Sequence, residues 1–195
     1  VKTTPLDIER ALAQGKEVIN KAKDALTNHE GVLKKALQNQ WEPETHQFID
    51  RWFLLQTQLE LLALILEINK IASEKVQDFL RLAFSAIIIT KSGGVSLALD
   101  LAHTRPHRAK IVLSKSGQIL DGEENNAENN SRSKHTTKIL RSTFDEFEKR
   151  LRLNLKGLTD NPVVAYSPKI LMGNAQSLPL PNNFADLIVT SPPYA

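Results

Sequence analysis

Between residues 48 and 66 the large apolar side chains Phe48, Trp52, Leu55, Leu59, Leu62 and Leu66 recur at alternating steps of four and three. That spacing is the period of a helix with one buried face, and it leaves little room for any other fold of this stretch. A second stripe precedes it: Leu12, Ile19, Leu26 and Leu33 stand seven apart, with Ala22 and Leu37 between them. Thr4, Pro5 and Asp7 supply a cap, a first-turn proline and a capping-box acid, so the first helix is predicted to start there. Asn28, His29 and Gly31 weaken its middle, which predicts a kink or break near Gly31. A short connection over residues 41–45 then predicts an antiparallel helical hairpin spanning residues 1–72. An interaction arm and a plain helical insertion both fit that hairpin.

The remaining length bounds what the hairpin can be attached to. The chain has 195 residues, 41% of them hydrophobic, enough for one domain carrying a helical insertion. Its longest apolar stretch, residues 59–68, is interrupted by Glu60 and Glu67 and falls short of the roughly 20 residues a membrane span needs. No membrane partner is expected. The opening residues have no apolar signal region and the chain has no cysteine, so the sequence fits a reducing, cytoplasmic compartment. A net charge of +3 does not by itself mark a nucleic-acid binder. The start at Val1 and the stop at Ala195, directly after a proline pair, give the expectation that both ends are cut.

Beyond the hairpin, the pattern predicts a helix over residues 73–90 and a loop-rich basic region to about residue 120. That region holds a short strand at residues 110–113 and the turn signal Ser116-Gly117. Residues 121–130 are polar and acidic, which predicts a mobile surface loop. A further helix is expected over residues 136–155, stopped by Gly157. Strand-like runs follow at 163–166, 169–172 and 185–190. The expected architecture is mainly α with a small C-terminal α/β portion. Its parts are the hairpin (1–72), a helical and basic loop region (73–158), and a partial α/β segment (159–195).

The residues with the most chemical content are Ser191-Pro192-Pro193-Tyr194, directly after the apolar run Leu187-Ile188-Val189. Ligand sites of open α/β sheets lie beyond the carboxyl ends of such strands. An exocyclic base amine is a weak nucleophile because its lone pair is delocalised into the ring. The Ser191 hydroxyl and the Pro192 carbonyl can accept from the two N–H groups of one NH₂, favouring the pyramidal, more nucleophilic nitrogen. Pro193 stiffens the loop, and Tyr194 offers a face on which a flipped base can stack. The competing reading is a rigid turn that merely ends a strand.

This motif resembles the catalytic motif of the S-adenosylmethionine-dependent DNA amino-methyltransferases, whose first residue is Asp, Asn or Ser. The serine form is most familiar in the cytosine-N4 enzymes. The similarity extends upstream through Gly173-Asn174-Ala175-Gln176-Ser177-Leu178-Pro179-Leu180 and Phe184-Ala185-Asp186-Leu187-Ile188-Val189-Thr190. Less specific stretches, Leu80-Arg81-Leu82-Ala83-Phe84-Ser85 and Thr104-Arg105-Pro106-His107-Arg108, also resemble bacterial site-specific DNA methylases. The resemblance implies a prokaryotic enzyme of DNA methylation and restriction-modification. Its cofactor would be S-adenosylmethionine, its substrate double-stranded DNA, and its target an exocyclic amine, cytosine N4 ahead of adenine N6. It also implies a Rossmann-like sheet, here incomplete, with Ser191, Pro192, Pro193 and Tyr194 as catalytic residues. Asn174 stands where the family usually places an acid near the cofactor adenine, so its amide oxygen would accept a cofactor N–H without charge assistance.

The family also needs a glycine-rich loop whose backbone approaches the cofactor, and this chain contains no Gly-x-Gly. The expectation is therefore a fragment whose cofactor-binding half preceded Val1. By itself it would neither bind the cofactor tightly nor methylate DNA, and it would be completed by that half or by self-association. A non-catalytic helical interaction or DNA-binding module is the alternative. Arg105, His107, Arg108 and Lys110 are candidate phosphate contacts, with solvated loop charge as the competing reading. The five histidines lack metal-ligand spacing, so no metal site is expected.

Overall fold

A computed structural model describes residues 6–88, 94–99, 107–122, 136–160, 171–174 and 176–189. The protein is mainly helical with one small mixed sheet. In order, the elements are α1 (Ile8–Asn28), α2 (Glu30–Gln38), α3 (Pro43–Trp52), α4 (Leu55–Asn69), α5 (Glu74–Ile88), β1 (Ile111–Leu113), β2 (Ile119–Asp121), β3 (Thr137–Ile139) and α6 (Thr143–Asp160).

Helix α1 is capped by Asp7, whose carboxylate accepts the Arg10 amide at 2.9 Å; the expected start at Thr4 and Pro5 lies outside the described residues. Its buried face is Ala11, Gly15, Val18, Ile19 and Ala22, while Leu12 and Leu26 only flank the core. The face is thus rotated toward small side chains, which lets α6 approach closely. A Cβ added at Gly15 would lie 2.4 Å from Leu151 Cδ2. The expected break falls at His29, between α1 and α2, where the backbone leaves the helical region.

The apolar seam from Phe48 to Leu66 does not form one helix. The backbone is extended at Phe53 and Leu54, which separates α3 from α4. The Gln58 amide covers the break, donating to Asp50 Oδ1 at 2.9 Å and to the Phe53 carbonyl at 3.0 Å. Phe48 is 63% and Leu55 54% exposed, so of the predicted seam only Leu59 and Leu62 enter the core. Helix α4 buries Leu59, Leu62, Ala63, Leu64 and Ile68, positions on more than one face, because α1, α2, α5 and α6 all pack against it. Gln77, in α5, caps the carboxyl end of α4 by donating to the carbonyls of Asn69 and Ile71. A single hydrophobic cluster runs from Ala11 to Leu155 through α1, α2, α4, α5 and α6.

The sheet has the order β2-β1-β3, with β1 antiparallel to β2 and parallel to β3. Gly117, with φ of 86°, makes the β1–β2 turn that Ser116-Gly117 signalled. Asp121, expected in the acidic loop, closes β2 instead. Leu97, Ala109 and Val112 form a second small core with Leu54, Leu99 and Leu140 against it. The helix expected from residue 136 begins at Thr143, because residues 137–139 pair with β1 as β3. It also runs past Gly157 to Asp160. An exposed helical glycine costs only about 1 kcal/mol, too little to end a helix anchored by Phe147, Leu151 and Leu155.

The chain divides into two compact units, Val1–Asn161 and Pro162–Ala195. Among the described residues of the second unit there is no strand, only an isolated antiparallel bridge between Asn174 and Ser177. The strand expected at 185–190 is not formed over residues 185–189, and neither is one at 171–172. A buried parallel strand needs a hydrogen-bonding neighbour, and these residues have none among those described. The run expected at 163–166 lies outside the described residues, as do residues 123–130 of the acidic loop. No helix among the described residues is long and apolar enough to cross a membrane.

Candidate base-amine segment and basic surface

In the second unit the local structure begins at Gly173-Asn174. The Asn174 side-chain oxygen accepts the Gln176 amide at 3.0 Å, and the Asn174 carbonyl accepts the Ser177 amide at 2.9 Å. Asparagine closes such turns because its short amide reaches the backbone two residues on. One lone pair of Oδ1 is thereby used within the turn, and the second remains available for an incoming N–H. Asn174 itself is exposed. Downstream, Leu187, Ile188 and Val189 are 80%, 72% and 86% exposed, and Phe184 is exposed as well. A run of three such residues facing water forgoes roughly 1.5–3 kcal/mol of burial for each side chain. Ser191, Pro192, Pro193 and Tyr194, which follow it directly, lie outside the described residues.

In the first unit, the candidate phosphate contacts separate by role. Arg105 lies outside the described residues; His107 and Lys110 are exposed. Arg108 is committed inside the fold: its Nε donates to the Arg51 carbonyl at 2.6 Å, and its Nη2 meets Asp121 Oδ2 at 2.7 Å. It ties the end of α3 to the sheet. Further along, Lys115 pairs with Asp145 at 2.7 Å, and that hydrogen bond holds the Asp145 carboxyl below its usual value.

Lys138 is the most deeply buried charged group among the described residues. It is 7% exposed, and its Nζ donates to the carbonyls of Gly94, Ser96 and Ala98 at 3.2, 2.5 and 2.6 Å. Burial, helped by the positive charge of Arg141, pushes its ammonium down to about 8. The turn it holds is a junction. Gly94 has φ of 56°, and an added Cβ there would sit 2.3 Å from the Ile87 carbonyl oxygen; Val95 bonds back to Ile87, and Leu97 donates to the Trp52 carbonyl at 2.7 Å. Lys138 therefore reads as a tie between the sheet and the helices, with three acceptors in place of a counter-ion. No cluster of three metal-ligating side chains occurs among the described residues. A cleft of about 240 Å³ beside α1 and α4 is lined by Glu17, Lys21, Glu67 and Lys70, which neutralise one another in the pairs Lys21–Glu17 and Lys70–Glu67.

Comparison of the chain with protein-family models, with curated proteins and with solved structures gives no match in any of the three.

Proposed function

We propose that this chain carries the target-amine segment of an S-adenosylmethionine-dependent DNA amino-methyltransferase, acting on cytosine N4 ahead of adenine N6. The observation that carries the reading is Ser191-Pro192-Pro193-Tyr194 placed immediately after Leu187-Ile188-Val189 and following a Gly173-Asn174 turn. In this role the Ser191 hydroxyl and the Pro192 carbonyl accept from one NH₂, Pro193 fixes the loop, and Tyr194 stacks on the extruded base. The exposed side chains of residues 187–189 are what a sheet strand shows before its neighbours are present. S-adenosylmethionine, when bound, supplies an electrophilic methyl group. Asn174 would hold a cofactor N–H through its remaining lone pair. With no Gly-x-Gly in the chain, tight cofactor binding is assigned to another stretch of polypeptide. Exposed His107 and Lys110 would meet duplex phosphates in a prokaryotic cytoplasm, whereas Arg108 contributes by holding that segment in place.

A second reading, a non-catalytic interaction or DNA-binding module, is favoured by the helical unit's having a complete core of its own. One experiment separates the two. The full reading frame containing this sequence is expressed in a bacterium lacking DNA methylation, and the genomic DNA is digested to nucleosides. N4-methylcytosine or N6-methyladenine that disappears with Ser191→Ala supports the methyltransferase. Unmethylated DNA together with retained duplex binding supports the module.

A further inference from the structure

Helix α3 is an anomaly in this fold: it is amphipathic, yet none of its residues is buried. It is nevertheless firmly held, by polar contacts at its carboxyl end. The Trp52 carbonyl accepts the Leu97 amide, the Arg51 carbonyl accepts Arg108 Nε, and Asp50 accepts Gln58 Nε2. Fixed in this way, the helix exposes Phe48 and Arg51 and leaves Trp52 half-buried beside them, all outside the core. The Phe48 and Trp52 rings stand 6.5 Å apart and are tilted by 55°, with the Arg51 guanidinium 5.7 Å from the centre of the Trp52 ring. The Arg108 bond brings residues 107–110, with exposed Lys110, against the same end of the helix.

We propose that this face is a stacking platform for unpaired bases of a nucleic-acid strand. Bases stack on aromatic rings whatever their identity, and guanidinium and ammonium groups beside the rings attract the backbone between them. At this end Arg108 neutralises Asp121, and Arg51 and Lys110 are exposed; Asp50 keeps its charge, since its partner Gln58 is a neutral amide, so the surface carries one net positive charge, and Glu44 lies a full helix length away from Trp52, in the first turn. An apolar protein partner would gain from the rings but would have to bury Arg51 unpaired, which is costly. The proposal shares its DNA partner with the reading above and rests on it to that extent. It does not require methyl transfer.

The test uses the whole chain carrying Trp41→Phe, which leaves Trp52 as its only tryptophan. Titration with a short oligothymidylate is expected to quench Trp52 emission. With binding read from the anisotropy of a fluorescently labelled oligothymidylate, Phe48→Leu, at an exposed position, should weaken it about tenfold, and Trp52→Leu by a similar factor, with the far-ultraviolet circular dichroism unchanged. Lys110→Gln should lower the salt slope of binding by about one. Absence of quenching overturns the proposal, as does unchanged binding by both leucine variants. A dimer that Phe48→Leu converts to monomer also overturns it, because a second copy would then be the occupant. Ser191→Ala keeps the two proposals apart: quenching without methylation contradicts only methyl transfer, and methylation without quenching contradicts only this surface.

Discussion

The two units of the chain treat apolar residues in opposite ways. In Val1–Asn161, Leu64, Ile68, Leu80 and Leu151 are fully buried, while in Pro162–Ala195 the equally apolar Leu187, Ile188 and Val189 face water. The difference lies in how each secondary structure meets its hydrogen bonds. A helix pairs its own backbone and needs neighbours only for its side chains, so α1, α2, α4, α5 and α6 pack into one core. A strand has no internal ladder and waits for a partner, however apolar its sequence.

Substitution tests this contrast most strongly. Leu64→Ala or Leu151→Ala should lower unfolding free energy by about 2–5 kcal/mol, read from the denaturant midpoint, whereas Leu187→Ala should shift it by less than about 0.5 kcal/mol. Equal losses at Leu151 and Leu187 would break the comparison. Next in size is the turn that joins helices to sheet: Gly94→Ala should cost about 1–3 kcal/mol, since the site combines positive φ with a carbonyl where the Cβ would go.

Lys138 sharpens the picture of that same junction through pH. Its folded value of about 8 lies below the ordinary 10.5, so between these values the unfolded chain holds a proton that the folded chain has released. Stability contributed by this residue therefore rises with pH across that window, by up to roughly 3 kcal/mol. Lys138→Met removes the titration, so the wild type should gain on the variant as pH rises from about 8. A gap that narrows over this window would contradict the burial of Lys138. The smallest expected effect is at α1, where Asp7→Ala should cost about 1 kcal/mol by thermal unfolding.

Helices were the legible part of this fold. The helix expected over residues 73–90 is α5, whose buried face proves to be Val76, Leu80, Ala83 and Ile87, and the weak sequence at Asn28 and His29 marked the break after α1. What escaped local reading depends on distant residues. No glycine or proline announces the extended backbone at Phe53 and Leu54, which is set by Gln58 and Leu97. Thr137, Lys138 and Ile139 fit the start of a helix until β1 captures them in a parallel ladder. Large side chains also drew attention away from Gly15 and Ala11, the residues that place α1 against its neighbours. At the candidate site, the Gly173-Asn174 turn is held by hydrogen bonds that are local in sequence. The use of Arg108 as an internal tie was not, since Arg51 lies 57 positions away.

Amide hydrogen exchange across the intact chain tests the central contrast most directly. Amides of α4 around Leu64 should exchange only through global unfolding, while those of Leu187, Ile188 and Val189 should exchange close to the rate of an unstructured peptide. Protection at residues 187–189 matching that at Leu64 would show these residues already paired, and the contrast between the two units would be wrong.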